Sequence, residues 1–518
     1  MKKILLMLVA LVATVTISAK DGEEMEGWQK SFTPVANADD LAGIHTAVAG
    51  DGSVYASTTY NQAFTVGNIT VADPDGLTSS CIVKFDNEGN SLWAVTLYGK
   101  CKIYAMTADT DGTLYVAGSS SDEKIVVTGV DGKTTEILNP TKEDWGEIVV
   151  AGQAAFLLKI SVAGAVENSL KIEAVGPETG YYGEAYVRPR KIVVDNDKIF
   201  VSCFYQGAVS SLGWEGRYVT MLDFDTFETS YFGDITGAGL FSVDKAFAGL
   251  TSIANVQATT DADLLDDGLQ CGPDAFDFVV YGGVPHVAFI GWGNETLNTA
   301  AGSQAFTFEM AGESNNEHAM VLVNVNAPQQ PKVFHAAPHD KVAAPYNLVG
   351  AALSGGNCIM AGTFYGNFPL DNSVTKEVNS SFVASIKMSD CSVNWTTVSP
   401  VEAEASCMVV AGEEIKASTN AATYTIKTAT GEVDTEQTMA QSFDDADCYN
   451  NQYVSTIFTQ ETSVVVFSPK LKPSGINNTQ ATKNTVQKYY NLNGIELTAP
   501  QNGLTIVKTA DGTRKVLK

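Results

Sequence analysis

Positive charge and histidine are scarce in this 518-residue chain. Lys and Arg together number 32 against 59 Asp and Glu, which gives a formal net charge of −27, and there are five His. Nucleic acids and anionic membrane surfaces are bound by clustered Lys and Arg, so this balance predicts neither as a partner. A charge of this size is typical of a soluble exported protein that is kept apart by self-repulsion.

Motifs of catalysis and metal binding are also missing. The chain has no HExxH, GxSxG, P-loop or CxxC pattern. His335 and His339 are four residues apart, but Ala-Ala-Pro lies between them in a strand-rich region, which excludes a helical metal pair. The sequence therefore predicts no cofactor and leans away from an enzyme.

The eight cysteines form no metal-type spacing, although their even number permits disulfides in an exported chain. Cys358 and Cys391 both fall at turns of one sequence repeat, and we expect them to pair. Cys203 lies within a predicted strand and is expected to be a buried apolar residue.

Long apolar runs are absent except at the N-terminus. Lys2 and Lys3 precede an apolar stretch at 4–17, and Ile17-Ser18-Ala19 is an acceptable cleavage site. Residues 1–19 are predicted to be a signal peptide. The run is too short for a membrane span, so no transmembrane segment is predicted.

Regular helix signals are almost absent after residue 19, and short alternating runs bounded by Gly, Asp and Asn predict an all-β chain. The stretch 52–97 is the template of a four-strand unit, whose strands we denote A to D. Strand B recurs at 52–60, 112–120, 197–205, 284–292, 357–365, 413–421 and 452–460. Strand C recurs at 81–85, 154–160, 218–224, 319–325, 381–387, 423–427 and 463–467.

The seventh unit lacks strand D, whereas the N-terminus carries an unassigned one. Residues 28–35 resemble the strands that contain Trp93 and Trp395, with Trp28 at the matching position. An N-terminal strand that completes the last unit leaves no long exposed sheet edge. The sequence thus predicts a seven-bladed β-propeller over residues 20–471, closed by the strand at 28–35.

The segments 111–118 and 84–93 resemble bacterial β-propeller repeats of the SBBP type and quinoprotein-like blades with a docking tryptophan. The resemblance covers the first, second and fifth units. It implies a propeller and little about activity, because propellers host many functions.

Residues 472–485 are rich in Asn, Thr, Pro and Ser and are predicted to be a linker. Residues 486–518 then contain three or four short strands separated by Asn-Gly and Asp-Gly turns. With Tyr490-Asn-Leu-Asn-Gly494 and a basic end, they resemble roughly the last half of the C-terminal sorting domain of type IX secretion cargo. The resemblance implies export machinery as a partner and a secreted or outer-surface location in a Gram-negative bacterium. The alternatives are a periplasmic protein, if the tail is not a working signal, and a tail that is a small β appendage.

Loop lengths predict the working face. The B–C connections 61–80, 121–153, 206–217, 293–318 and 366–380 are long, as are the D–A segments 171–190 and 233–275, and both types leave a propeller on one face. Aromatic residues at strand ends and in these loops are the candidate ligand contacts. They are Tyr60, Trp145, Tyr205, Trp214, Trp292 and Tyr365. The alternative is that these rings pack beneath their own loops.

The acidic insert is the candidate metal site. Asp261, Asp263, Asp266 and Asp267 supply clustered carboxylates, the ligand type that Ca²⁺ prefers, although the EF-hand spacing is missing. The alternative is a solvated acidic loop.

The leading functional prediction is a non-catalytic binding or scaffold protein that holds a glycan or protein ligand on the B–C loop face. An enzyme, either polysaccharide-active or quinoprotein-like, and a structural surface or matrix component are the alternatives.

Overall fold

The structure is a computed structural model. It describes residues 27–139, 141–144, 147–150, 152–175, 185–214, 237–258, 275–308, 318–336, 347–438, 443–449, 453–460, 462–469, 488–490, 496–497, 504–509 and 512–517. The chain divides into two compact units, Met1–Lys470 and Leu471–Lys518. The signal peptide predicted at 1–19 lies outside the described residues.

Strands dominate both units, and the regular helix consists of two 3₁₀ turns at Ala38–Asp40 and Ser210–Leu212 within the described ranges. The first strands are β1 (Gly27–Phe32), β2 (His45–Val48), β3 (Val54–Tyr60), β4 (Phe64–Val66), β5 (Ile69–Val71), β6 (Ser79–Phe85), β7 (Ser91–Tyr98), β8 (Cys101–Ala108), β9 (Leu114–Ser120), β10 (Lys124–Thr128), β11 (Thr134–Leu138), β12 (Thr141–Asp144), β13 (Glu147–Val150) and β14 (Gly152–Gln153). The middle strands are β15 (Ala155–Ile160), β16 (Val166–Ile172), β17 (Ala185–Asp195), β18 (Lys198–Gln206), β19 (Gly237–Asp244), β20 (Thr251–Ala258), β21 (Ala275–Tyr281), β22 (Val284–Trp292), β23 (Asn294–Thr299), β24 (Gly302–Thr307), β25 (His318–Asn324), β26 (Lys332–His335), β27 (Asn347–Ser354) and β28 (Asn357–Phe368). The last strands are β29 (Asp371–Lys387), β30 (Val393–Val398), β31 (Ala405–Ala411), β32 (Glu414–Thr419), β33 (Ala422–Lys427), β34 (Val433–Thr438), β35 (Phe443–Tyr449), β36 (Tyr453–Gln460), β37 (Ser463–Pro469), β38 (Lys488–Tyr490), β39 (Glu496–Leu497), β40 (Leu504–Thr509) and β41 (Gly512–Leu517).

Within the described residues, seven antiparallel sets of four strands, here called sheets 1 to 7, form the main part of the first unit. They are β2-β3-β6-β7, β8-β9-β15-β16, β17-β18-β19-β20, β21-β22-β25-β26, β27-β28-β29-β30, β31-β32-β33-β34 and β35-β36-β37-β1. The strand predicted at 28–35 is β1, and it pairs antiparallel with β37 from Gly27↔Pro469 to Phe32↔Val464.

The first strand of each sheet is its inner strand. The inner strands β2, β8, β17, β21, β27, β31 and β35 contact one another in that order, and β35 also contacts β2. Each of the seven apolar clusters formed by described residues mixes side chains of two neighbouring sheets. Sheets that pack face to face around their inner strands in this way form an all-β propeller.

Three tryptophans on outer strands dock on turns of the next sheet. The pairs are Trp28 with Gly89, Trp93 with Gly164 and Trp395 with Gly431. A Cβ at Gly89 would lie 2.6 Å from the Trp28 ring, so only glycine fits there. The matching positions that the sequence indicated for Trp28, Trp93 and Trp395 are therefore confirmed as one repeated packing motif.

Two carboxylates of β35 bind the exposed edge of β2. Asp445 Oδ2 accepts a hydrogen bond from the Thr46 N–H at 2.7 Å, and Asp447 Oδ2 accepts one from the Val48 N–H at 2.9 Å. These bonds satisfy edge N–H groups that have no strand partner on that side. They join the inner strands of sheets 7 and 1.

The third strand of sheet 3 was wrongly placed by the sequence. Residues 218–224 lie outside the described residues, and the strand beside β18 is β19 (Gly237–Asp244). Gly237 and Gly239 are needed there, because added Cβ atoms would lie 2.4 Å from the rings of Tyr205 and Trp214. As a result, 233–275 is not one long D–A connection but contains β19 and β20.

Two of the long B–C connections continue as extra strands. Hairpin β10-β11 leaves sheet 2 and pairs with β7, which widens sheet 1, and hairpin β23-β24 leaves sheet 4 and pairs with β20 of sheet 3. These two connections therefore consist partly of strands, which cover the outer edges of sheets 1 and 3.

The cysteines of the described residues are all free thiols, so the expected Cys358–Cys391 disulfide is wrong. Cys358 is fully buried in an apolar cluster, whereas Cys391 lies in a turn with a φ of 54°. Cys203 is 0% exposed, which confirms it as a small core residue. Among the described residues there is no helix with the length and apolarity needed to cross a membrane.

The second unit contains one small sheet in the order β39-β38-β40-β41. Its strands match the three or four short runs predicted in 486–518. Hairpin β40-β41 pairs Leu504 with Leu517 and turns at Thr509↔Gly512.

Candidate functional site

The long-loop face is the end of each sheet that carries two kinds of connection. One joins the second strand to the third, and the other joins the fourth strand to the inner strand of the next sheet. In sheet 1 the connection carries the small hairpin β4-β5, and in sheet 5 β28 and β29 extend as a long two-stranded arm. In sheet 6 the same connection is only the short turn between β32 and β33. The opposite end is formed by short turns such as 49–53 and 86–90.

Three of the predicted ligand aromatics lie inside the fold. Tyr60 is 3% exposed and packs edge-on against Phe64, at 6.0 Å between ring centroids. Tyr205 is 0% exposed and Trp214 is 2% exposed. This is the packing arrangement that the sequence offered as the alternative for these rings.

The Tyr205 and Trp214 rings form one buried stack with centroids 4.9 Å apart. Trp214 Nε1 donates to Ser252 Oγ at 2.7 Å, and Asn255 Nδ2 donates to the Tyr205 hydroxyl oxygen at 3.0 Å. The Trp214 indole N–H and the Tyr205 hydroxyl group therefore both have hydrogen-bond partners within sheet 3. The stack holds the segment that follows β18 against β19 and β20.

The other predicted site residues are not brought into this core. Tyr365 is half-buried in β28 on the arm of sheet 5. The backbone of Trp292 ends β22, and its side chain lies outside the described residues, as do Trp145 and the candidate calcium residues. The calcium residues are Asp261, Asp263, Asp266 and Asp267. Among the residues that the structure does describe, no group of three or more His, Cys, Asp or Glu is placed to hold a metal ion.

Cations gather where the inner strands of sheets 1 to 3 reach the long-loop face, and we call this group the cationic mouth. It consists of Lys102 on β8, and Arg188 and Arg190 on β17, beside His45 on β2. Lys102 and Arg190 are exposed and Arg188 is half-buried. Burial and the charge of Arg188 lower the pKa of Lys102, which places these two cations in one electrostatic environment.

Each cation of the mouth lies over an aromatic ring. The Arg188 guanidinium is 4.2 Å from the Tyr186 ring centroid, that of Arg190 is 5.3 Å from Phe204, and Lys102 Nζ is 5.4 Å from Tyr104. Cation–π contacts of this kind orient the charged groups without neutralising them.

Bulges in the inner strands give the mouth its shape. The register between β17 and β18 shifts at Arg190, and that between β8 and β9 shifts at Tyr104. The inner strands β27, β31 and β35 carry equivalent shifts near the same end. In a regular strand, successive side chains point to opposite faces of the sheet, and a bulge changes the direction of the extra residue's side chain. Bulges are frequent near functional sites.

The neighbouring Lys191 is a structural cation and makes a useful contrast. Its Nζ donates to Asp277 Oδ1 at 2.9 Å, to the Phe278 carbonyl at 2.8 Å and to the Ala351 carbonyl. One ammonium thus joins inner strands β17, β21 and β27, and all three of its protons are used.

Within the described part of the chain, the cations of the mouth have no such partners. No carboxylate of a described residue lies within ion-pair distance of Lys102, Arg188 or Arg190, although the chain holds 59 acidic residues. The Nε of Arg188 is buried and has no hydrogen-bond partner within the described part of the chain.

His45 completes the mouth as a neutral group. Burial, followed by the charges of Lys102 and Arg190, lowers the pKa of His45 to about 4. Its Nδ1 lies 3.9 Å from Asp445 Oδ2, but at neutral pH the ring is uncharged and the contact is not an ion pair.

Acid should therefore destabilise the fold through His45. The ring has a pKa of about 6.5 in the unfolded chain and about 4 in the folded one, so the unfolded state takes up the proton first. The contribution of His45 is complete above pH 6.5 and is lost progressively as pH falls from about 6.5 to about 4, below which both states are protonated. We expect the free energy of unfolding to fall by up to about 3 kcal/mol more in the wild type than in His45→Gln across this window.

Urea unfolding at several pH values measures this difference. Burial raises the pKa of Asp447, which acts in the opposite direction, but that contribution is common to both proteins and cancels in the comparison. Equal pH slopes for the two proteins would contradict the assignment.

A second opening on the same face lies between sheets 5 and 6. It is an apolar cavity of about 150 Å³ beside the short β32-β33 turn. Ala361, Phe382, Val398, Cys407, Tyr424 and Ile426 line it. Because sheet 6 has almost no B–C loop, nothing described from that loop covers the cavity.

Sequence reasoning missed the cationic mouth. The loop pattern predicts a D–A connection over 171–190, whereas β17 begins at Ala185 and carries both arginines on an inner strand. The available signal was the run Arg188-Pro-Arg-Lys191 in a chain with 32 basic residues.

No protein-family model matches the chain, and no curated protein matches it. Among solved structures it is similar to BamB from Moraxella catarrhalis, with 9% identity, a TM-score of 0.35 and coverage of 77% of this chain and 93% of the other. It is also similar to the propeller domain of Cps50 (Swd1) from Myceliophteria thermophila, with 8% identity, a TM-score of 0.36 and coverage of 79% of this chain and 94% of the other. For Sqt1 from Saccharomyces cerevisiae the identity is 8%, the TM-score is 0.38, and the coverage is 85% of this chain and 99% of the other. Similarities at these identities and TM-scores carry no information about ligand or activity.

Proposed function

We propose that this chain is an exported, non-catalytic binding or scaffold propeller that holds a glycan or protein ligand on its long-loop face. Sheets 1 to 7 are the blades of a seven-bladed ring, which β1 closes by completing the last blade. Support for this arrangement comes from the β1–β37 pairing and from the contact between inner strands β35 and β2.

The observation that carries the binding proposal is the unneutralised cationic mouth. Among the described residues, three cations on one face have no carboxylate partner, in a chain with a net charge of −27. A folded protein gains nothing in stability by keeping like charges together, so such an arrangement is expected where a ligand supplies the opposite charge.

The proposed cellular location rests on two segments of the chain, residues 1–19 and residues 486–518. In this proposal residues 1–19 direct export, residues 20–471 form the propeller, 472–485 link it to the tail, and 486–518 engage export machinery. The protein is then secreted or held at the outer surface of a Gram-negative bacterium. Support comes from the apolar N-terminal stretch and from the small β sheet of the tail.

Glycan-array binding and pull-down with purified candidate proteins test the ligand class and the face. We expect Trp292→Ala and Tyr365→Ala, both on the long-loop side of their strands, to weaken binding by roughly tenfold, because apolar contact area is lost. Leu92→Ala is the matched control, since this half-exposed apolar residue lies near the opposite end of sheet 1. The proposal would be contradicted if the long-loop variants bound the ligand as tightly as the wild type, or if only the Leu92 variant lost binding.

A further inference from the structure

The cationic mouth is a concentration of one charge that the described part of the fold does not use. Lys191 shows what a structural cation looks like in the same strand, with three oxygen acceptors within hydrogen-bonding distance. Arg190 and Arg188, one and three residues earlier in the chain, have none among the described residues. Within the described part of the chain, no such bond offsets the cost of placing these charges together.

Like charges repel one another, and they do so more strongly near a protein surface than in water. Strands β2, β8 and β17, which carry these groups, are neighbours in the fold. Besides burial, the charge of Arg188 lowers the pKa of Lys102, and the charges of Lys102 and Arg190 lower that of His45, so the groups act on one another electrostatically.

The arginines are arranged for a specific shape of ligand. Arg188 lies over the Tyr186 ring and Arg190 over the Phe204 ring, contacts that restrict the positions of the two guanidinium groups without using their N–H donors. A guanidinium edge matches two oxygens of a carboxylate, sulfate or phosphate, and such charge-assisted bonds are about twice as strong as neutral ones. The cations already cover the faces of these rings, so a sugar ring would not stack there.

We propose that the cationic mouth binds a compact oxyanion group, a carboxylate, sulfate or phosphate, through Arg188 and Arg190 with Lys102 as the third cation. This inference rests on the proposed function, because it names the charged group of the ligand held on the long-loop face.

A compact anion fits better than an extended polyanion. At physiological ionic strength charges are screened beyond about 8 Å, so a single oxyanion at the mouth meets mainly the local cations. A long polyanion would also lie against the rest of a surface with a net charge of −27 and be repelled.

Isothermal titration of the full chain with inorganic phosphate, inorganic sulfate and acetate tests the inference. We expect at least one of these anions to bind the wild type with a Kd of about 1 mM or tighter, and more weakly as salt increases. In Arg188→Gln/Arg190→Gln the affinity should fall by roughly tenfold or more. Lys427→Gln removes a cation from a turn at the opposite end, where it pairs with Glu432, and should leave binding unchanged.

Two further arms keep the result interpretable. Arg188→Lys/Arg190→Lys keeps the charge and should retain part of the affinity, which a merely misfolded variant would not, and melting curves check the fold of every variant. A uronic-acid disaccharide compared with acetate distinguishes a sugar-borne carboxylate from a free one.

No binding of any of these anions, or equal binding by the wild type and the double Gln variant, would overturn the inference. If that happens while Trp292→Ala still weakens a glycan or protein ligand, the proposed function stands and only its charged group is wrong. If anions bind at the mouth but no long-loop variant affects a larger ligand, the proposed function fails instead.

Discussion

Deletion of Trp28–Val35 is expected to lower the melting temperature of the propeller by about 10 °C or more and to broaden its unfolding transition. The deletion removes five of the six β1 residues that pair with β37, among them the buried Phe32, which is 4% exposed. It also removes the Trp28 ring from its place over Gly89, where the centroids of Trp28 and Phe85 lie 5.4 Å apart. Loss of one such buried aromatic typically costs about 3–5 kcal/mol, against a total stability of about 5–15 kcal/mol.

The matched control is Gln29→Ala/Ser31→Ala, which alters only exposed positions of the same strand. It should melt within a degree or two of the wild type. A peptide of residues 27–35 added to the deleted protein should restore part of the melting temperature, because the open edge of β37 can accept a strand. A deleted protein with an unchanged melting curve would contradict a role for β1 in completing the last sheet.

Trp214→Ala is expected to lower the free energy of unfolding by about 3–5 kcal/mol, whatever it does to ligand binding. The ring is 2% exposed, stacks on Tyr205 and donates to Ser252 Oγ. Trp214→Phe should cost less, about 1–2 kcal/mol, because it keeps the stacked ring and loses mainly the hydrogen bond. Chemical unfolding of the purified variants measures both changes.

A double-mutant cycle with Gly239 sharpens this prediction. A Cβ at Gly239 would lie 2.4 Å from the Trp214 ring, so Gly239→Ala should destabilise the wild type. In the Trp214→Ala background the added methyl group fills part of the vacated space, and the two changes should be less than additive. A stable Trp214→Ala protein that has lost ligand would instead make the ring a ligand contact.

The repeat of the fold was predictable because it rests on local signals. Hairpin turns such as Asp51-Gly52, alternating runs and the recurring Trp28, Trp93 and Trp395 are each visible within a few residues of sequence. The glycines that receive these tryptophans lie in another sheet, and the sequence alone does not pair them.

The parts that sequence reasoning missed depend on contacts between distant residues. Strand β19 was misplaced because its glycines are explained only by the Tyr205 and Trp214 rings above them. The mouth was missed because Lys102 and Arg188 are far apart in the chain and meet only when β8 packs beside β17. Burial of Tyr60 and Trp214 likewise depends on which loop covers which strand end.

The most direct test of the central claim is the position of a bound anion. Crystals grown without phosphate or sulfate can be soaked in selenate, whose selenium is identified by its peak in an anomalous difference map. We expect an anomalous peak within hydrogen-bonding reach of the Arg188 and Arg190 guanidinium groups, at the long-loop end of β17. Selenate peaks elsewhere on the protein, with none at the cationic mouth, would contradict it.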